Sequence, residues 1–518
     1  MSKYPSLASR LLDTIENTGN RIPHPALLFI YLAIGVALLS WLAARLGWHA
    51  VHPVSGETIS AFNLLSRAGV HRVLEQTVSN FTHFAPVGTV LVAMLGIGIA
   101  DHAGLLSAIM RSLVLRAPER ALTFTVVFAG VLSSLAADAG YVVLIPLAAA
   151  LFQAAGRPPL AGIAAAFAGV SAGYSANLII GPLDAMLAGI STEAAALVDP
   201  ERTVSPAANY YFMAGSTLLI AALATWVTER IVQPRLARHT PQTATESSLA
   251  PPLDTLLDTP LDRPMDKPLD TLAASEARAL RAVAWFSVLF VILLVLGVTL
   301  PHGLLRADHG TVLDGPFIGG IVTIIAFYFA LAGTLFGYIS GTFKRSSDVI
   351  NSMEAAMASM AGYLVLMFFA AQFVSYFAWT ELGLICAIKG AELLRTVGTD
   401  GNIILLLFVL LAAAINLLVG SASAKWSIIA PVFVPMFMLY GIPPEATQVA
   451  YRIGDSSTNI ITPLMPYFGI IVAFAQRYDP QAGIGTIVAM MLPYSATLLL
   501  GWSAILALWL LAGWPLGA

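Results

Sequence analysis

The chain has 518 residues, of which 58% are hydrophobic and only 11% are charged. Soluble domains carry about 25% charged residues, so this composition excludes an ordinary soluble protein. A net charge of −3 without a basic tract gives no sign of a nucleic-acid partner, and one cysteine, Cys386, excludes an internal disulfide.

Long apolar runs recur along the sequence and predict transmembrane helices. Pro25–Leu46 and Ala284–Leu300 are typical, since a helix needs roughly 20 apolar residues to cross a bilayer. The runs are too long and too uniformly apolar for barrel strands. The first one is also too long for a cleaved signal. We therefore predict an all-α polytopic (multi-pass) membrane protein.

Basic residues near the ends of these runs predict their orientation. Arg and Lys residues flank the low-complexity stretch Pro251–Thr271, which repeats a Pro-Leu-Asp phrase, and others precede the first run. Because cytoplasmic loops carry an excess of Lys and Arg, we predict that the N-terminus and this linker are cytoplasmic. The expected organisation is a first half, residues 1–232, a linker, residues 233–279, and a second half, residues 280–518.

Four runs are interrupted by polar residues. Residues 121–153 break at "LSSLAADAGY" but have basic residues beyond both ends, which predicts a re-entrant hairpin that opens inward. Residues 402–440 break at "NLLVGSASAKW" and predict an outward-opening hairpin. Residues 159–190 and 447–474 are predicted as broken helices. The sum is about nine transmembrane helices plus two re-entrant hairpins.

The two halves match at these breaks. "AADAGYVVLIP" aligns without gaps with "SASAKWSIIAP", which places Tyr141 opposite Trp426. "SANLIIGPL" meets "STNIITPL" with one gap, and Asn177 falls opposite Asn459. Small residues in membrane helices usually serve close packing. Because the hairpins open to opposite sides, we instead predict inverted-topology repeats whose breaks, Asn177 included, build a transporter's central binding site.

The stretch "YRIGDSSTNIITPLMP" places charges and side-chain oxygens where lipid is expected. A charge at mid-bilayer costs about 2.5–3.5 kcal/mol on insertion scales, so Asp455 needs Arg452, a bound cation or its own proton. If the helix unwinds at "GDSSTN", then Asp455, Ser457 and Asn459 offer oxygen ligands for Na⁺. Arg452 is then free to hold a substrate carboxylate. A structural Arg452–Asp455 ion pair, a Na⁺ site and a cycling proton remain as alternatives.

The hairpin tips supply further candidates. Asn416 and Ser421, in the second break, can add oxygens to the coupling-ion site. Trp426, opposite Tyr141, is predicted to present an aromatic face to the substrate, although a lone Trp more often anchors a helix at the membrane interface. Asp138, at the first tip, is a secondary candidate charge.

One sequence motif is typical of an enzyme. "GVSAG" (Gly169–Gly173) fits the nucleophile elbow G-x-S-x-G, with Ser171 as nucleophile. That motif requires a preceding strand and His and acid partners, whereas a membrane helix precedes it here. We therefore expect no catalytic residues and no enzyme. An intramembrane serine hydrolase at Ser171 and an uncoupled channel for small organic anions are the alternatives to a transporter.

At these motifs the chain resembles the AbgT family of bacterial inner-membrane transporters. "GSASAKWSIIAPVFVPMF", "YRIGDSSTNIITPLMPYF" and the first-half "AADAGYVVLIPLAA" carry the resemblance, which covers nearly the whole chain. It implies a homodimer of nine-helix subunits with two hairpins, in the wider ion-transporter superfamily, with Na⁺ or proton coupling. Positions important in the family fall on residues of the expected type: Asn416, Trp426, Pro444, Arg452, Asp455 and Pro463.

The predicted function is secondary active transport by an elevator-type movement. The cargo would be p-aminobenzoyl-glutamate-like aromatic carboxylates or sulfonamide-type antimetabolites, coupled to Na⁺ or H⁺. Pro444 and Pro463 would help to bind this cargo, as the resemblance implies. We expect no cofactor beyond the coupling ion, and membrane lipid and a second subunit as partners. Import and export both remain open.

Overall fold

A computed structural model of the protein describes residues 25–51, 56–136, 140–239, 273–300, 303–307, 315–462, 465 and 467–518. Eight of the described helices are long and apolar enough to cross a membrane, or nine if the bent pair Leu382–Val397 and Gly401–Asn416 counts as one span. The predicted all-α membrane protein is confirmed. Asp138, Pro463 and residues 240–272 of the predicted linker lie outside the described residues.

The first half begins with a long apolar helix and a small β-hairpin, and continues as helices. Strands β1 (His49–Val51) and β2 (Thr58–Ser60) pair antiparallel, with Ala50 opposite Ile59. The helices are α1 (Pro25–Arg45), α2 (Arg67–Thr82), α3 (Ala85–His102), α4 (Leu105–Leu115), α5 (Leu122–Leu132), α6 (Ile145–Ala154), α7 (Pro159–Phe167), α8 (Pro182–Ala195), α9 (Tyr210–Val227) and α10 (Gln233–His239). Short 3₁₀ or π-helical turns adjoin α5, α6, α7 and α9.

The described residues of the second half form helices joined by short loops and turns. Its helices are α11 (Ala274–Thr299), α12 (Pro316–Gly319), α13 (Ile321–Ser340), α14 (Ser346–Ser359), α15 (Ala361–Trp379), α16 (Leu382–Val397), α17 (Gly401–Asn416), α18 (Ala422–Tyr440), α19 (Pro444–Thr458), α20 (Phe468–Gln476) and α21 (Ile484–Leu511). Helix α10 lies inside the predicted linker bounds and α11 begins inside them, so residues 233–239 and 274–279 are helical.

Each predicted hairpin has its two outer ends tied together. In the first half, the Arg157 guanidinium beyond α6 donates to Thr123 Oγ1 in α5 at 2.8 Å. In the second half, the Tyr440 hydroxyl at the end of α18 donates to the Thr399 carbonyl before α17 at 2.5 Å. The pairs α5–α6 and α17–α18 therefore form hairpins. Their re-entrant insertion and the inverted-repeat relation stay predictions.

The second broken helix unwinds later than expected. The prediction of unwinding at "GDSSTN" is wrong, because α19 stays helical to Thr458 and a 3₁₀ turn follows to Ile461. The hydroxyls of Ser457 and Thr458 donate to carbonyls one turn back, at 2.7 and 2.8 Å, so they need no partner outside the helix. The chain becomes extended only at Thr462 (φ −93°, ψ 118°), which precedes a proline.

The buried apolar residues form one large cluster and two main smaller ones. The large cluster joins residues 114–232 of the first half to residues 404–506 of the second, and so contains both hairpins and both broken helices. A second cluster joins α3 and α4 to α11 and α13. A third joins α1 and the start of α3 to α15, and includes Ala424 from the first turn of α18. The hairpin-bearing helices thus form one body beside a set of outer helices.

The exposed surface of helix α11 is largely apolar. Apolar residues lie around most of its circumference, and Trp285, Leu289 and Leu293 are more than half exposed. An apolar helix with so little protein contact is stable where lipid covers it. The chain is accordingly a multi-pass membrane protein.

Two glycines allow α3 and α13 to cross in close contact. A Cβ added to Gly96 would lie 1.9 Å from the Ala326 carbonyl oxygen, and one on Gly333 would lie 2.6 Å from the Ala100 Cα. Small residues at such crossings let membrane helices pack backbone to backbone. The α3–α13 contact therefore depends on the absence of both side chains.

We predict that Gly96→Ala destabilises the protein, because the new methyl group must push the two helices apart. Overpacking of this kind costs about 1–3 kcal/mol. The melting temperature of the purified protein in detergent should fall. Gly362→Ala in α15 is the matched control, since nothing lies within 4 Å of its added Cβ. Equal melting temperatures for the two variants would contradict the proposed crossing.

Candidate functional site

The partner of Asp455 is a lysine that the sequence analysis did not consider. Lys425 Nζ in α18 forms an ion pair with Asp455 Oδ1 in α19, and each side chain is only 1% exposed. The predicted alternatives for this carboxylate were Arg452, a bound cation or its own proton. The alternative of a structural Arg452–Asp455 pair is wrong, because each of these residues pairs with a residue of a different segment.

Asn416 joins the second hairpin to the broken helix. Its Oδ1 accepts a hydrogen bond from Lys425 Nζ. Its Nδ2 lies 2.6 Å from the Asp455 carbonyl, 2.9 Å from Thr458 Oγ1 and 2.9 Å from Asn459 Oδ1. The structure therefore brings Asn416, Asp455 and Asn459 together, as the sequence analysis predicted. The Oδ1 atom of each of the three already has a protein donor.

Arg452 is held by the first half of the chain. Its Nη2 lies 2.7 Å from Asp184 Oδ1 and donates to the Ser175 carbonyl, also at 2.7 Å. Asp184 Oδ2 accepts a hydrogen bond from the Gly181 backbone N–H at 2.7 Å, just before α8 begins. The side chain of Arg452 is 2% exposed and that of Asp184 is 12% exposed. The expectation that Arg452 is left free is wrong, because one side of its guanidinium is occupied.

Two buried polar atoms of the described residues at this site lack a hydrogen-bond partner. Within the described residues, the buried atoms Arg452 Nε and Ser456 Oγ make no hydrogen bond. Buried polar groups are nearly always satisfied, and an orphan donor commonly marks a missing ligand, water or ion. Arg452 therefore keeps a donor that can bind an acceptor such as a carboxylate.

Trp426 is packed inside the protein. Its ring is fully buried and stacks on Tyr451, with centroids 4.5 Å apart and planes 26° apart. Tyr451 in turn donates from its hydroxyl to the Ala422 carbonyl at 2.6 Å and lies 3.3 Å from Asp455 Oδ1. One face of the indole is thus already covered by protein, and Tyr451 connects it to the ion pair.

A chain of buried hydrogen bonds leaves Trp426 toward one surface. The indole N–H donates to Ser191 Oγ at 3.0 Å, Ser191 donates to Gln448 Oε1 at 2.6 Å, and Gln448 donates to Asn209 Oδ1 at 2.8 Å. Asn209 Nδ2 then donates to the Glu445 carbonyl at 3.0 Å. This chain links the tip of α18 to the beginning of α19.

A cavity of about 870 Å³ opens at that end of α19. Its lining includes Asp400, Asn402, Trp514 and Ala518, together with Glu445 and Arg202. The last two form an ion pair of 2.7 Å in which Arg202 is 43% exposed. Pro444, the first residue of α19, also lies here, about 16 Å along the helix from Asp455 at a rise of about 1.5 Å per residue. The structure does not bring Pro444 to the ion pairs.

The first half contributes its own break. Asn177 Nδ2 donates to Ser134 Oγ at 2.7 Å, which joins the first broken helix to the first hairpin, as Asn416 joins the second pair. Tyr141 stacks on Tyr467 with ring centroids 4.3 Å apart. Since Arg452 also reaches the Ser175 carbonyl, the breaks of the two halves meet in one region, as predicted.

Three sequence candidates have local structural partners. Ser421 caps α18, accepting from the Ala424 N–H at 3.4 Å, and Ser457 donates back to the Ile453 carbonyl. Ser171 is fully buried, and its Oγ lies 3.2 Å from Met465 Sδ. A thioether is no general base, so this contact gives the serine-hydrolase alternative no support.

Lys425 and Asp184 are the site residues that sequence reasoning missed. Lys425 stands in an otherwise apolar arm, and a buried cation needs an anion nearby. Asp184 follows a Gly-Pro pair and falls in the first turn of α8, where an acid commonly accepts a hydrogen bond from the preceding backbone N–H. Each of these features lies within one short stretch of sequence. Neither identifies the residue that forms the ion pair, because that residue belongs to another segment.

Known proteins match this sequence along almost the entire chain. Residues 10–518 match the model of the "AbgT putative transporter family". The p-aminobenzoyl-glutamate transport protein of Escherichia coli (strain K12) is 36% identical over 520 residues, covering 100% of this chain and 98% of its own length.

Two solved structures share the fold. The YdaH transporter of Alcanivorax borkumensis is 52% identical, with a TM-score of 0.87, and the match covers 96% of this chain and 100% of that one. MtrF of Neisseria gonorrhoeae, described as one of a class of antimetabolite efflux pumps, is 44% identical, with a TM-score of 0.89 and coverage of 96% and 97%. The chain therefore belongs to the AbgT family of membrane transporters.

Proposed function

We propose that this protein is a secondary active transporter of aromatic carboxylates related to p-aminobenzoyl-glutamate, or of sulfonamide-type antimetabolites. The names of the E. coli relative and of MtrF support the two substrate classes. The observation that carries the proposal is the meeting of both broken helices at two buried ion pairs, Lys425–Asp455 and Arg452–Asp184. Charges kept inside a membrane protein commonly mark a substrate or ion pathway.

The coupling ion, Na⁺ or H⁺, would act at Asp455. This carboxylate of α19 forms an ion pair with Lys425 of the second hairpin, and the Tyr451 hydroxyl lies 3.3 Å from its Oδ1. Asn416 and Asn459 supply further oxygen atoms, of the kind that hard cations take as ligands. An ion that changes the charge balance here would alter the contact between the hairpin and the broken helix.

The substrate would be held beside Arg452. The unpartnered Nε of Arg452 offers a charge-assisted donor to a carboxylate. Tyr451, the neighbour of Arg452 in α19, and Trp426, stacked on it, are buried in this conformation and would contact an aromatic substrate only after a rearrangement. The cavity near Glu445 would serve as the entrance from one side of the membrane. The N-terminus is proposed to be cytoplasmic, which makes this the outer side.

Movement would occur between the body that holds both hairpins and the outer helices. The large apolar cluster contains both breaks, while α1, α3, α11, α13 and α15 pack in separate clusters. This division supports an elevator-type displacement of the first body against a dimeric scaffold in the bacterial inner membrane. An uncoupled channel is the alternative, and separately imposed Na⁺ and pH gradients in vesicles distinguish the two, because a channel would show no coupling.

We predict that Asp455→Asn abolishes ion-coupled flux in proteoliposomes, because an amide cannot carry the charge that the coupling ion neutralises. Because this variant leaves the buried Lys425 ammonium without an anion, its stability should fall, and size-exclusion chromatography in detergent checks that it is folded before flux is measured. Asp199→Asn, at an exposed turn, is the control and should transport normally. Undiminished coupled flux in Asp455→Asn would refute the assignment.

We predict that Arg452→Ala weakens transport of carboxylate substrates about 10- to 100-fold, the size expected for a lost hydrogen bond to a charged group. A sulfonamide without a carboxylate should be affected less. Because this variant leaves Asp184 unpaired, the comparison should be repeated in Arg452→Gln/Asp184→Asn, which removes both charges. Equal losses for the two substrates in both variants would count against a carboxylate contact.

A further inference from the structure

The Lys425 ammonium lies where a free coupling cation would bind. It contacts Asp455 Oδ1 and Asn416 Oδ1, two of the side chains that the sequence predicts as ligands of that ion. In this conformation these two oxygens therefore fit Na⁺ only after the ammonium has left. The Lys425 ammonium and a free cation would therefore occupy the same position, beside Asp455 Oδ1 and Asn416 Oδ1.

The position of Lys425 is not explained by the stability of its own helix. It falls in the first turn of α18, where the helix dipole disfavours a positive charge. It is 1% exposed, so its charge has lost nearly all hydration, which costs several kcal/mol unless an anion compensates. Within the described residues Asp455 is the one acid paired with it.

The charge balance allows one cation at a time. The charges of Lys425 and Asp455 sum to zero, and so do those of Arg452 and Asp184, the second ion pair of α19. The uncharged hydroxyl of Tyr451 also approaches Asp455, at 3.3 Å, and does not change this balance. A sodium ion added to this neutral set would leave an uncompensated buried charge, whereas a sodium ion that replaced the ammonium would not.

We propose that Lys425 is a tethered competitor of the coupling ion: its ammonium and a free monovalent cation are mutually exclusive occupants of the Asp455–Asn416 site. Lys425 is thus a residue that determines cation specificity, and a free cation binds only when its side chain has withdrawn. The inference rests on the proposed coupling at Asp455. It extends that proposal to the residue that regulates access to the carboxylate.

The test is a sodium titration of thermal stability in detergent, with choline keeping ionic strength constant. A ligand that binds only the folded state raises the melting temperature. Lys425→Met should reach half of its Na⁺-dependent shift at a concentration at least tenfold lower than wild type, or show a shift where wild type shows none. If the Na⁺ concentration that gives half of the shift in Lys425→Met equals or exceeds that of wild type, the proposal is overturned.

Controls separate this effect from general salt stabilisation. Lys389→Met, at an exposed lysine of α16, should behave as wild type. Lys425→Met/Asp455→Asn should lose the sodium-specific shift, because the anion is gone. If Lys425→Met folds poorly in choline, Na⁺ should restore it, and Lys425→Gln repeats the measurement. Failure of Na⁺ to stabilise either variant contradicts the proposal, since sodium should replace the missing charge.

A separate measurement isolates the proposed function itself. Substrate counterflow in wild-type proteoliposomes, without any ion gradient, reports binding and translocation alone. Absence of counterflow would count against transport of that substrate and leave the sodium titration to judge Lys425. Normal counterflow with equal sodium responses in wild type and Lys425→Met would reject the competitor role alone.

Discussion

Two buried ion pairs at the site join segments that are far apart in the sequence. Lys425 of α18 meets Asp455 of α19, and Arg452 of α19 meets Asp184 of α8. Removing one partner of a buried pair leaves a charge that neither lipid nor the apolar core can solvate. The requirement that each charge keep its partner therefore determines where the hairpin, the broken helix and the first half may lie.

The polar network around these pairs is continuous across the two halves. Asn416 and Asn177 each tie a broken helix to a hairpin, and the Ser175 carbonyl receives Arg452 from the other half. The large apolar cluster encloses the same segments. If this part of the protein moves as one body, as proposed, the network would keep the site's contacts intact during the movement.

The sequence predicted the helices, the interrupted segments and the region where they meet, because hydropathy and Gly/Pro breaks are local signals. It did not predict which residues pair with the buried charges. Arg452 and Asp455 are three residues apart, which suggested a mutual pair, but each turns to a charge more than 25 positions away or in the other half. The predicted point of unwinding was too early, because the hydroxyls of Ser457 and Thr458 donate hydrogen bonds to backbone carbonyls of the same helix. Helix α2 was missed because it is amphipathic and carries too many polar residues for a span.

Helix α19 carries one member of each ion pair within a single turn, and the two partners belong to different segments. A rotation or slide of this helix thus strains both pairs at once. A state in which one pair is broken and no cation takes its place exposes two bare charges to the core, so such a state is sparsely populated. In the proposed transport cycle, the free cation should therefore enter as the Lys425 ammonium withdraws, so that Asp455 is not left unpaired.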